Sequence, residues 1–92
     1  MNERYLRIKK KIISSLAPEF LRIRDDSNLH ASHGNVKKGE LETHFNIKIV
    51  STFFKHKNKV DMHKMVYEIL NDEFSSGLHS LELDLKEKIN DK

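Results

Sequence analysis

No cysteine occurs anywhere in this 92-residue chain. That absence removes disulfide staples. It also removes thiolate ligation of zinc or of an iron–sulfur centre by the chain's own side chains. Any such centre held here would need its sulfur from elsewhere. Long apolar runs are missing too, none approaching the ~20 residues a membrane span requires. Lys9-Lys10-Lys11 followed by Ile12 and Ile13 has the outline of a signal peptide. Ser14 and Ser15 break the apolar stretch far short of an h-region, so a mature, cytoplasmic N-terminus is expected. Catalytic signatures are equally scarce: no G-x-S-x-G, no P-loop and no H-E-x-x-H. Asp25, Asp26 and Ser27 near two histidines outline a relay. Acid–base chemistry, however, needs a pocket with tuned pKa values, and a chain this short offers little room for one. The expectation is a protein that is not an enzyme.

What is present describes a globular chain with a wet surface. Hydrophobic residues at 37% and charged residues at 34% suit one modest core rather than disorder, and a single domain over residues 1–92 is expected. Seventeen basic and 14 acidic side chains leave a net charge of +3, too mild to imply a polyanion partner by itself. The basic residues concentrate at Arg4, Arg7, Lys9, Lys10 and Lys11, and again at Lys55, Lys57, Lys59 and Lys64. Two solvated helix faces would explain both groups.

Periodicity sets the elements. Tyr5, Ile8, Ile12 and Leu16 step by the spacing of one helix face, and Pro18 ends that helix. Leu21-Arg22-Ile23-Arg24 alternates as a short strand, and Phe45, Ile47 and Ile49 alternate with His44, Asn46 and Lys48 as a clearer one. Between them, residues 26–42 hold almost nothing that could enter a core. A loop of that length usually carries function or stays disordered. Asn58 is a good N-cap for a helix running to Phe74, with Asp61 in its first turn. Val60, Val66, Tyr67, Ile69, Leu70 and Phe74 would form its apolar face. Ser75-Ser76-Gly77 would close it, with Gly77 in the left-handed C′ conformation. Leu81, Leu83 and Leu85 mark a last strand, and residues 86–92 form a tail. The order α-β-β-α-β, with a helical crossover into the last strand, favours a parallel pair beside the antiparallel first pair. The expected fold is α+β: a three-stranded mixed sheet with helices packed on one face.

Six histidines carry the chemistry that cysteine cannot, since neutral imidazole is the commonest protein ligand for a transition metal. His79 shares the phase of Leu81, Leu83 and Leu85 at the mouth of the last strand, which would leave it half shielded. It is either a cap on the helix–strand corner or a ligand. His30 and His33 sit in the long loop with H-x-x-H spacing, which lets both meet one metal if the loop turns. His63, within the apolar stripe of the second helix, suits a packed, hydrogen-bonded role. His44 would pin the loop, and His56 lies among lysines.

The segment Leu21–Leu85 resembles the BolA family. The matching pieces are Arg24-Asp25-Asp26-Ser27 with His30 three residues later, and Glu42-Thr43-His44-Phe45 opening a strand that ends Ile49-Val50-Ser51. Phe54 with Lys57, His63-Lys64-Met65-Val66-Tyr67 and Gly77-Leu78-His79-Ser80-Leu81 follow in family order, over about 65 of the 92 residues. The resemblance implies a type II KH-like fold, α-β-β-α-(α)-β, with a short extra helix around Phe54 to Asn58. It implies a monothiol glutaredoxin as heterodimer partner and a bridging [2Fe-2S] cluster, with thiolates from the glutaredoxin cysteine and glutathione. The family's C-terminal ligand maps onto His79 and the loop ligand onto His30, with His33 as a competitor. Two departures stand out: Met62-His63-Lys64 replaces the family's Arg-His-Arg, and His56 replaces a glycine. Both fall in the segment associated with nucleic acid or the partner surface.

Two functions follow from the resemblance and the residues. One is a cluster-holding adaptor in iron–sulfur trafficking or iron sensing. The other is a KH-like DNA-binding transcriptional regulator acting through Lys55, Lys57, Lys59 and Lys64. KH domains clamp the backbone with a GXXG loop. The three glycines here, at 34, 39 and 77, leave none between Phe53 and Lys64. A membrane partner is not expected, whereas an exposed Phe53 would be a reason to expect homodimerisation.

Overall fold

The computed structural model describes residues 3–27 and 43–89. Helix α1, Glu3–Leu16, buries Ile8, Ile12 and Leu16 completely or nearly so, the face its spacing predicts. It stops where Pro18 requires. Ala17 takes φ +41°, while its amide still donates to the Ile13 carbonyl at 3.1 Å.

The sheet has the order β1-β2-β3. Strand β1, Phe20–Asp25, runs antiparallel to β2, His44–Val50, pairing Phe20 with Val50 and Asp25 with Phe45. Strand β3, Ser80–Lys86, runs parallel to β2, with His44 opposite Ser80 and Ile47 opposite Leu83. Phe45, Ile47 and Ile49 point into the core with Leu78, Leu81, Val66 and Leu70. On the polar face, Arg22 Nη2 donates to Asn46 Oδ1 at 2.9 Å and Asn46 Nδ2 donates to Glu82 Oε1 at 3.0 Å. One hydrogen-bonded chain thus crosses all three strands. The α+β class and the mixed sheet follow the sequence pattern.

The helical crossover differs from expectation in three places. The extra helix implied near Phe54–Asn58 is a single 3-10 turn at Thr52–Phe54. Ser51 places it there. Its Oγ accepts from the Phe53 amide at 3.1 Å and donates to the Leu16 carbonyl at 2.6 Å, joining the turn to the end of α1. The long helix is broken in two: α2, Lys59–Ile69, and α3, Asn71–Ser75. Asn58 caps α2 as expected, accepting from the Asp61 amide at 2.8 Å. The break lies at Leu70, whose φ of −101° and ψ of 13° leave the helical basin while its side chain is fully buried. The expected apolar face is therefore split. Val66 and Leu70 enter the core, but Val60 and Tyr67 are 62% and 41% exposed. Gly77 closes α3 with φ +129°, well beyond the left-handed helical basin near +57°.

The corner at Leu70 turns Glu73 toward α1. Arg4, Arg7 and Lys11, which the sequence suggests as a solvated face, converge on that one carboxylate. Arg4 Nε donates to Oε1 at 3.0 Å, and Lys11 Nζ donates to Oε2 at 2.8 Å. Arg7 adds a two-pronged contact, Nε to Oε2 at 2.8 Å and Nη2 to Oε1 at 2.9 Å. The Glu73 side chain is only 2% exposed. Its hydrogen bonds, the Arg7 fork foremost, outweigh the cost of burial and hold its carboxyl down at about 2.

Candidate histidine site at the mouth of β2 and β3

Thr43 organises the site. It is buried, and its carbonyl accepts two amides, from His79 at 2.7 Å and from Ser80 at 3.1 Å. The first residues of β3 are thereby clamped beside the first residue of β2. His44 and His79 consequently meet, with ring centroids 5.8 Å apart and planes at 80°. Thr43 also contacts the His44 ring, Oγ1 to Nδ1 at 3.0 Å.

His79 is exposed, not half shielded as its phase with the leucines suggested. It precedes Ser80, the first residue of the ladder, so the alternation that directs Leu81 inward does not bind it. Tyr67 and Phe74 stack at 5.2 Å on the helical side, and Tyr67 Oη donates to the Leu81 carbonyl at 3.3 Å. Together these contacts hold the start of β3 against α2 and α3.

The other histidines divide clearly. His63 is half-buried on α2 with Nδ1 2.8 Å from the Lys59 carbonyl, the hydrogen-bonded role expected of it. His56 is exposed and adopts φ +66°, in the left-handed region that a glycine would occupy without strain. His30 and His33 lie outside the described residues. Among the described residues, no group of three or more His, Asp or Glu side chains is placed to hold a metal ion. A complete coordination shell around the His44–His79 pair therefore needs donors from beyond it.

His44 is the residue that sequence reading set aside. Its neighbour becomes visible only through the parallel register that puts His44 opposite Ser80. The signal was the α-β-β-α-β order itself, combined with a histidine at the entrance of each parallel strand. The basic group is exposed throughout: Lys55, Lys57, Lys59 and Lys64 all reach solvent. Phe53, on the 3-10 turn beside them, is 53% exposed. No helix among the described residues is long and apolar enough to cross a membrane.

Fold and site together describe a small α+β domain that presents imidazoles and lysines on open surfaces. The family model for BolA-like proteins matches residues 12–88, and the chain belongs to the BolA family. It is 40% identical over 84 residues to protein BOLA1, chloroplastic, of Arabidopsis thaliana, covering 90% of this chain and 52% of that protein. It is 41% identical over 78 residues to the DNA-binding transcriptional regulator BolA of Haemophilus influenzae, covering 85% of this chain and 71% of that one. SufE-like protein 1 of Arabidopsis thaliana is 39% identical over 89 residues, 94% of this chain. The chain spans only 24% of that relative's length and 52% of BOLA1's. Among solved structures, the BolA domain of SufE1 from Arabidopsis thaliana superposes with a TM-score of 0.83 at 40% identity, covering 94% of this chain and 93% of that one. Mouse BolA1 superposes with a TM-score of 0.74 at 31% identity, covering 90% and 63% respectively.

Proposed function

We propose that this chain is a non-enzymatic adaptor that pairs with a monothiol glutaredoxin in the cytoplasm and shares a bridging [2Fe-2S] cluster with it. The observation that carries the reading is His79: an exposed imidazole on a backbone pinned by the Thr43 carbonyl. Its donor type fits the group. The chain has imidazoles and no thiol, so it suits one half of a mixed-ligand cluster whose thiolates come from glutaredoxin and glutathione. His79 would be one ligand and His30, or His33 in its place, the second. Histidine ligation at one iron raises a cluster's potential above that of all-thiolate ligation, which suits transfer or sensing. Membership of the BolA family supports the reading.

The test is reconstitution without oxygen from this chain, a monothiol glutaredoxin, glutathione, iron and sulfide. A visible circular dichroism spectrum distinct from that of the glutaredoxin homodimer is expected for the wild type and for His63→Ala. It is expected to vanish in His79→Ala, and His30→Ala and His33→Ala identify the second ligand. A wild-type mixture that shows only the glutaredoxin spectrum refutes the adaptor.

Exposed Lys55, Lys57, Lys59 and Lys64 favour a second reading, a DNA-binding regulator, as the Haemophilus influenzae relative is named. Phosphate contacts need only cations and oriented amides. Each lysine replaced by glutamine should then reduce the slope of log affinity against log salt by about 0.9. A slope unchanged by all four replacements rules the lysines out.

A further inference from the structure

We infer that His44 and His79 form a two-imidazole site for one divalent first-row transition-metal ion, bound by this chain without any partner. The site shares His79 with the proposed cluster, so the two are alternative uses of one imidazole, and it differs in taking no thiolate, glutathione or second protein. Two imidazoles on one ion at the usual N–metal distance of about 2.0–2.1 Å have ring centroids about 5 Å apart for a tetrahedral angle. The observed separation is 5.8 Å. His79 is exposed and outside the ladder, so closing that gap would fall to its side-chain torsions.

His44 already has the outer contact typical of a ligating histidine, whose second nitrogen is held by a neighbouring oxygen. Nδ1 lies 3.0 Å from Thr43 Oγ1; in the tautomer that donates this bond, the ring lone pair belongs to Nε2. Binding would exchange that nitrogen's present surroundings for the cation. Thr43 thus serves both ligands, its hydroxyl orienting His44 and its carbonyl fixing His79. The donor set selects the class of ion. Imidazole suits zinc, copper and nickel, whereas magnesium and calcium take oxygen ligands. Water completes the shell on the exposed side.

The test uses the full-length chain labelled with 15N and titrated with Zn2+, followed through the imidazole nitrogens. Responses at His44 and His79 that saturate together at one equivalent are expected, with Mg2+ inert. His79→Ala and His44→Gln should each weaken Zn2+ binding by roughly a hundredfold, as when one of two linked donors is lost. Affinity unchanged in His79→Ala, a response confined to His30, His33 or His63, or no imidazole response at millimolar Zn2+ overturns the inference. Should His44→Gln fail to fold, His79→Ala decides the matter, because that side chain lies outside the core.

Discussion

Arg7 and Glu73 meet fork to fork across the α1–α3 interface, with two hydrogen bonds of 2.8 and 2.9 Å. Paired bonds of this type are the strong ones among ionic contacts. Arg4 and Lys11 complete a convergence of three cations on one carboxylate.

Removing that carboxylate should be costly. Glu73→Gln leaves three cations facing one another around a neutral amide, a mechanism that costs about 3–5 kcal/mol when both partners are buried. Arg7 and Lys11 are 46% and 30% exposed and can regain water, so a loss of about 2–3 kcal/mol is expected. Urea unfolding measures it. A midpoint equal to that of the wild type would show that the cluster holds nothing.

The same residue predicts an acid transition. The carboxyl titrates at about 2 in the fold against an ordinary 4.5, so the unfolded chain binds the extra proton between those values. Stability from Glu73 is therefore complete above about pH 4.5 and is lost as pH falls toward 2, to a total of about 3 kcal/mol. Thermal unfolding of the wild type and Glu73→Gln from pH 6 to 2 should converge. Parallel curves across that range would contradict the assignment.

His56→Gly should stabilise the fold. A non-glycine residue in the left-handed region costs about 1–2 kcal/mol, against about 0.4–1 kcal/mol of extra unfolded-state freedom for glycine. A net gain of about 0.5–1 kcal/mol follows, visible as a rise of a few degrees in Tm. A fall in Tm would mean that the imidazole makes a stabilising contact of its own.

Ser51→Ala tests the joint between the helical halves. The hydroxyl caps the 3-10 turn and satisfies the Leu16 carbonyl, in a site with no solvent exposure. Loss of about 1–2 kcal/mol is expected, with amide exchange at Phe53 accelerating. Protection of Phe53 equal to that in the wild type would count against the cap.

Much of this was legible before the fold. Ile8, Ile12 and Leu16, the alternation of Phe45, Ile47 and Ile49, and the Asn58 cap are local patterns, and local physics keeps them. What escaped depends on distant partners. The break at Leu70 escaped because Val66, Tyr67, Ile69, Leu70 and Phe74 fit one continuous helix, whereas the turn there accompanies ion pairs that Glu73 makes with α1. Glu73 itself reads as a surface acid; its cations lie 62 to 69 residues away in sequence. His79 kept its place at the strand's mouth but not its half-shielded setting. His44 gained significance only from its neighbour across the parallel pair.

The clamp at Thr43 has one more implication. A slip of β3 by a single residue would turn every leucine of that strand away from the core, so the oily interior forbids it. A slip that put Leu81 opposite His44 would move Ser80 into the place His79 now holds. The core therefore works as a gauge block: by fixing which residue faces which, it sets the spacing of two imidazoles that stand outside it.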